Sequence, residues 1–123
     1  MLSIWSLFGP SRERQRLDAA LRRHGLHPQL LSDPIKLTAL RLVGPRASEA
    51  SIERAGALIA YCLLGPGDFA AVNEAAAVDE QERRLALALE APQGEDARLI
   101  MLCLRSGRAE ASIEARFELE ETS

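Results

Sequence analysis

Only two imidazoles are available to do chemistry in this 123-residue chain. His24 and His27 stand three residues apart, a spacing at which a helix can turn two side chains toward one metal ion or one reacting group. Gly25 and Pro28 interrupt any such face, and the nearest preceding carboxylate, Asp18, lies six residues before His24. The pair therefore reads as polar residues at a helix end, where a cationic imidazole sits well in the field of the C-terminal carbonyls. No Ser-His-Asp or Cys-His combination forms a recognisable local motif. Glu80 and Glu82 stand beside Arg83 and Arg84 and read as a solvated helix face, not as a poised acid–base pair. No residue is assigned a catalytic, cofactor-binding or metal-ligating role, and a small enzyme without a recognisable motif is kept only as an alternative.

The remaining chemical candidates are also weak. Cys62 and Cys103 each lie inside an apolar run, which predicts small core side chains, not redox partners. Gly9-Pro10-Ser11-Arg12 and Gly44-Pro45-Arg46 lead into helices and offer free amides to an anion. They lack the glycines and the Lys-Ser/Thr pair of a phosphate-binding loop. A helix-turn-helix can be drawn with its turn at Gly44–Ala47. Its second helix, however, would begin with Glu49 and Glu53, which repel duplex phosphates where base contacts are made.

The N-terminal segment carries the strongest signal. Leu2, Ile4, Trp5, Leu7 and Phe8 are five large apolar residues within eight positions, and Met1, Ile4, Trp5 and Phe8 form one stripe at helical spacing. Water exposure of each would cost about 1.5–3 kcal/mol, so something must cover them. Three covers are open: the domain's own bundle, a second copy or protein partner, and a membrane surface assisted by the arginines from Arg12 to Arg23. Ile4, Trp5, Leu7, Phe8, Arg12 and Arg16 are the expected interaction residues.

These residues need a frame, and composition bounds it. Hydrophobic residues make up 47% and charged residues 27%, an ordinary globular balance for a single domain over 1–123 with 1–9 as its apolar leading segment. Aromatics are only 4%, while Ala and Leu dominate, which favours helix over sheet. Residues 1–64 carry nine basic and five acidic side chains, and residues 65–123 carry six and thirteen, so an indiscriminate nucleic-acid binder is not expected. The opposite balances favour contact between copies. Arginine greatly outnumbers lysine, as in proteins of GC-rich genomes, and nothing in the sequence resembles a secretion signal or a run of about 20 apolar residues. A bacterial-type, cytoplasmic protein is the expectation.

The periodicity predicts an all-α bundle of about five or six short helices. They run from Ser11 to about His24, from Asp33 to Gly44, from Ser48 to Gly65, from an Asp68 cap, from an Asp79–Glu82 capping box to about Ala91, and through Ala97–Leu104 at the bundle centre. The C-terminal segment fits two patterns: Ile113 and Phe117 suit a helix, while Ile113, Ala115, Phe117 and Leu119 alternate as in a strand, leaving a β-meander in the last third as a competitor. The functional expectation is a non-catalytic protein-interaction or regulatory/adaptor domain, homo-oligomeric and without cofactor, whose protein partner the sequence does not identify. The alternatives are a peripheral membrane-surface module and the helix-turn-helix binder.

Overall fold

Ser48 starts the helix around which the others assemble. Its Oγ accepts from the Ser51 amide at 3.0 Å, and Ser51 Oγ accepts from the Ser48 amide at 2.9 Å, a reciprocal cap. Every residue from Ala55 to Cys62 is buried, so this helix is enclosed on all sides. The computed structural model describes the backbone of residues 2–44 and 48–122 and the side chains of residues 12–44 and 48–117. Among the described residues the fold is all-helical: α1 (Leu2–Arg23), a 3-10 turn (Pro28–Leu30), α2 (Asp33–Val43), α3 (Glu49–Val72), α4 (Ala75–Glu90), α5 (Glu95–Arg105) and α6 (Ala111–Thr122). The other five helices all pack on α3.

By length and composition α3 could cross a membrane, but here it is the core helix, and Gly65 breaks it at φ 83°. Positive φ is open to glycine and costs other residues, so this position turns the chain. Pro66 follows without an amide N–H, which would leave the Cys62 carbonyl without its i+4 donor. The Glu110 amide, just before α6, supplies the missing hydrogen bond at 2.9 Å. Gly56 serves a different purpose. A Cβ there would lie 2.6 Å from Ala20 Cβ, so the absent side chain sets how closely α1 and α3 approach.

Several boundaries differ from the sequence reading. Helix α1 does not begin at Ser11 but runs unbroken through Gly9-Pro10, because proline's fixed φ is compatible with helix and only one hydrogen bond is forfeited. The helical turn after Gly65 starts at once, with Pro66 in its first turn, so Asp68 is not its cap. Helix α4 begins at Ala75 with Glu74 as its N-cap residue, which places Asp79 and Glu82 well inside it. The bundle centre is α3 and not Ala97–Leu104: α5 buries Ala97, Leu99, Ile100 and Cys103 and leaves Met101, Leu102 and Leu104 half-buried. The last third is helical. Ile113 is fully buried with Phe117 packed behind it, while Leu85 and Ala88 are buried and Leu87 and Leu89 exposed, a helical period and not a two-residue one.

Two ion pairs align α1 with α2. Arg14 Nη1 lies 3.3 Å from Asp33, and the only lysine, Lys36, is buried with its Nζ 3.0 Å from Asp18 Oδ1. Four residues forward on α1 thus match three forward on α2 across this contact.

Candidate interaction surface

Among the described residues the interior polar side chains are engaged with one another, although Asp18 Oδ1 faces Lys36 as an ion pair without a well-aligned hydrogen bond. Arg84, 3% exposed, makes a forked contact with Asp96 through Nε (3.0 Å) and Nη2 (2.8 Å), while its Nη1 reaches the Arg54 carbonyl and Gln81 Oε1. These bonds, Arg84's above all, hold the Asp96 carboxyl below its usual range. Arg84 thereby joins α4 to α5 and α3, which corrects the expectation of a solvated face at Glu80–Arg84. Only Arg83, paired with Glu80 and exposed, fits that description. On the opposite flank Glu82 accepts two hydrogen bonds from Arg116 at 2.9 Å and one from the hydroxyl of fully buried Tyr61. The Arg116 bonds lower the Glu82 carboxyl, whereas burial, and then Glu82 itself, raises the Tyr61 phenol well above its usual range.

His24 closes the C-terminal end of α1. Its Nδ1 meets Asn73 Oδ1 at 2.8 Å and its Nε2 meets Glu53 Oε1 at 3.0 Å, while the ring stacks on Phe69 with centroids 5.9 Å apart. Asn73 is oriented by its own Nδ2, which donates to the carbonyls of His24 and Phe69. Arg23 also pairs with Glu53. The imidazole thus joins α1 to both parts of α3 on either side of Gly65. His27 is exposed and only accepts from the Gln29 amide, so the two histidines do not converge. Among the described residues no cluster of three His, Cys, Asp or Glu side chains could hold a metal. Cys62 and Cys103 are both buried, as expected of core residues, and they meet. A thiol–thiol hydrogen bond, reinforced by burial, pushes the Cys103 thiol up, which keeps it protonated.

Of the expected interaction residues, Arg12 and Arg16 are exposed on α1. Ile4, Trp5, Leu7 and Phe8 occupy the first turns of the same helix, and their side chains lie outside the described residues. Helical register still relates these positions. Phe8, Arg12 and Arg16 follow at four-residue intervals, so they share a face, and Arg12, Gln15, Arg16 and Ala19 on that side of the helix are all exposed. Leu17, Ala20 and Leu21, by contrast, face the core. Positions 8 and 17 are separated by two and a half turns at about 3.6 residues per turn, which puts them on opposite sides.

Sequence reasoning missed two surface depressions, because each is assembled from separate helices. A cleft of about 370 Å³ lies among α3, α4 and α5, with Arg54, Leu87 and Glu95 at its mouth and the Arg84–Asp96 pair in its wall. A groove of about 320 Å³ lies between the end of α2 and α5. Leu42, Pro92, Met101 and Leu102 line it, with Arg98 and Arg105 alongside. The sequence matches no protein-family model and no curated protein, and no solved structure matches the chain.

Proposed function

We propose that this chain is a non-catalytic protein-interaction domain, a regulatory or adaptor module of a bacterial-type cytoplasmic protein, that self-associates through the first turns of α1. One observation carries this reading: α1 is a single helix from Leu2 to Arg23, and the face that bears Phe8 is, by register, the face that Arg12 and Arg16 keep exposed. By register, positions 4, 5 and 8 belong to the side of α1 that also carries Arg12 and Arg16. Burial of such residues in a second copy gains about 1.5–3 kcal/mol for each large side chain. No charged side chain occurs before Arg12, so the side chains of two such segments meet without like-charge repulsion.

The mutual engagement of the interior polar groups supports a structural reading of them. Arg84, Glu82, Lys36 and His24 each tie one helix to another, as residues that hold a scaffold do. Deletion of residues 1–8 tests the reading. A folded monomer from an oligomeric parent supports it. An unchanged mass with a lowered melting temperature would return the segment to its own bundle. An unchanged mass with loss of co-sedimentation with anionic vesicles would make it a membrane foot.

A further inference from the structure

We infer that the α2–α5 groove is the docking site for an acidic amphipathic helix of another protein, one that presents two adjacent apolar side chains between carboxylates seven residues apart. This inference rests on the reading of the chain as a protein-interaction domain, not on its self-association through α1. The groove combines an apolar lining, Leu42, Pro92, Met101 and Leu102, with two guanidinium groups, Arg98 and Arg105, and no carboxylate. Both arginines are exposed, and Leu42, Met101 and Leu102 are left half-buried.

The charge of this groove is opposite to that of its surroundings. Residues 65–123 carry thirteen acidic and six basic side chains. Arg83, Arg84 and Arg116 pair with Glu80, Asp96 and Glu82. Among the described residues Arg98 and Arg105 take part in no ion pair. Two cations thus stand beside apolar surface without a carboxylate, in the acid-rich half of the chain. Each offers a fork of N–H donors that fits a carboxylate.

Spacing on α5 selects the shape of the partner. Arg98, Met101, Leu102 and Arg105 follow at i, i+3, i+4 and i+7, one face of the helix. At 1.5 Å per residue the two arginines lie about 10.5 Å apart along the axis, with the two apolar side chains between them. A second helix with the same spacing of carboxylate, two apolar residues and carboxylate matches both charges and covers Met101 and Leu102, as in helix-in-groove recognition. A nucleic-acid backbone would bring phosphates but no apolar group, and its continuous charge would meet the surrounding carboxylates.

Fluorescence anisotropy with the full chain and a labelled alanine-based helical peptide carrying Glu-Ala-Ala-Leu-Leu-Ala-Ala-Glu tests the inference. The chain should bind this peptide, and less tightly as salt rises. Peptides with Lys in place of both Glu, or with Ala in place of both Leu, should bind at least about tenfold more weakly. Arg98→Glu with Arg105→Glu, both at exposed positions, should reverse the preference in favour of the Lys peptide and leave the helical circular dichroism intact. Arg98→Ala alone should weaken binding of the Glu peptide severalfold, and it serves should the double variant fail to fold. A parent that does not bind the Glu peptide, or binds the Glu and Lys peptides equally, overturns the assignment. So does a parent that binds phosphatidylserine vesicles through these arginines and ignores the peptide, which would make the face a membrane contact. Light scattering on the same samples reads self-association separately. A chain that dimerises but ignores the peptide loses the groove assignment and keeps the α1 reading, whereas a monomer that binds it does the reverse.

Discussion

The Glu110 amide donates to the Cys62 carbonyl across 2.9 Å, and this bond takes the place of the one that Pro66 cannot make. The break in α3 and the start of α6 are thus one structural feature. Gly65→Ala should strain it twice, because φ is 83° and a Cβ would come within 2.6 Å of three Glu110 side-chain atoms. A loss of about 1–2 kcal/mol from the left-handed backbone alone is expected in urea unfolding. Glu110→Ala should recover the steric part but not the backbone part, so the double variant should be less destabilised than the sum of the single ones. Simple additivity would argue against the contact.

Arg84 and Asp96 form, with Lys36 and Asp18, one of the two most enclosed ion pairs described, their side chains 4% and 28% exposed. Asp96→Ala leaves a buried guanidinium short of its partner and should cost about 3 kcal/mol in denaturant unfolding. Replacement of both residues, Arg84→Met with Asp96→Leu, should recover a large share of that loss, because no unpaired charge remains. A double variant weaker than Asp96→Ala would refute this reading of the pair.

Acid should destabilise the fold through two carboxylates. Asp96 and Glu82 are held below their ordinary values of 3.8 and 4.5 by Arg84 and Arg116. A carboxylate with a lowered folded-state value contributes stability above the unfolded value and loses it as pH falls through the folded one. Melting temperature should therefore hold near neutrality and decline below about pH 4, and Asp96→Asn should flatten the decline. An unchanged acid slope in that variant would remove Asp96 from the explanation.

Gly56→Ala offers a contest between two effects. Helix propensity favours alanine by about 1 kcal/mol. The new methyl, however, would meet Ala20 Cβ at 2.6 Å with α1 backbone at 3.5 Å behind it, and overpacking of this kind costs about 1–3 kcal/mol. Net destabilisation is expected in thermal melts, with relief on adding Ala20→Gly. A stabilised Gly56→Ala would show that α1 yields freely.

Local signals marked the helices well where the cause was local. Gly44 ends α2, Ser48 caps α3 and Gly65 breaks it, each for reasons of backbone conformation or capping legible in a few residues. The errors came from tertiary effects. Nothing near Gly9-Pro10 distinguishes it from Gly65-Pro66, yet the chain passes straight through one and turns at the other. Arg84 reads as a surface residue until Asp96, twelve positions later, is brought beside it. The meeting of Cys62 with Cys103 and the α2–α5 groove are likewise products of packing. Of the interaction residues, the apolar and basic character was legible. That positions 4, 5 and 8 share the register of Arg12 and Arg16 follows only from the continuity of α1 from Leu2.

Light scattering on the intact chain at high micromolar concentration, with Phe8→Glu measured alongside, tests self-association through α1 most directly. The parent should show twice the 13.4 kDa chain mass and the variant a single chain mass, with the same helical circular dichroism. A parent that remains at one chain mass, or a Phe8→Glu variant that dimerises as the parent does, would contradict it.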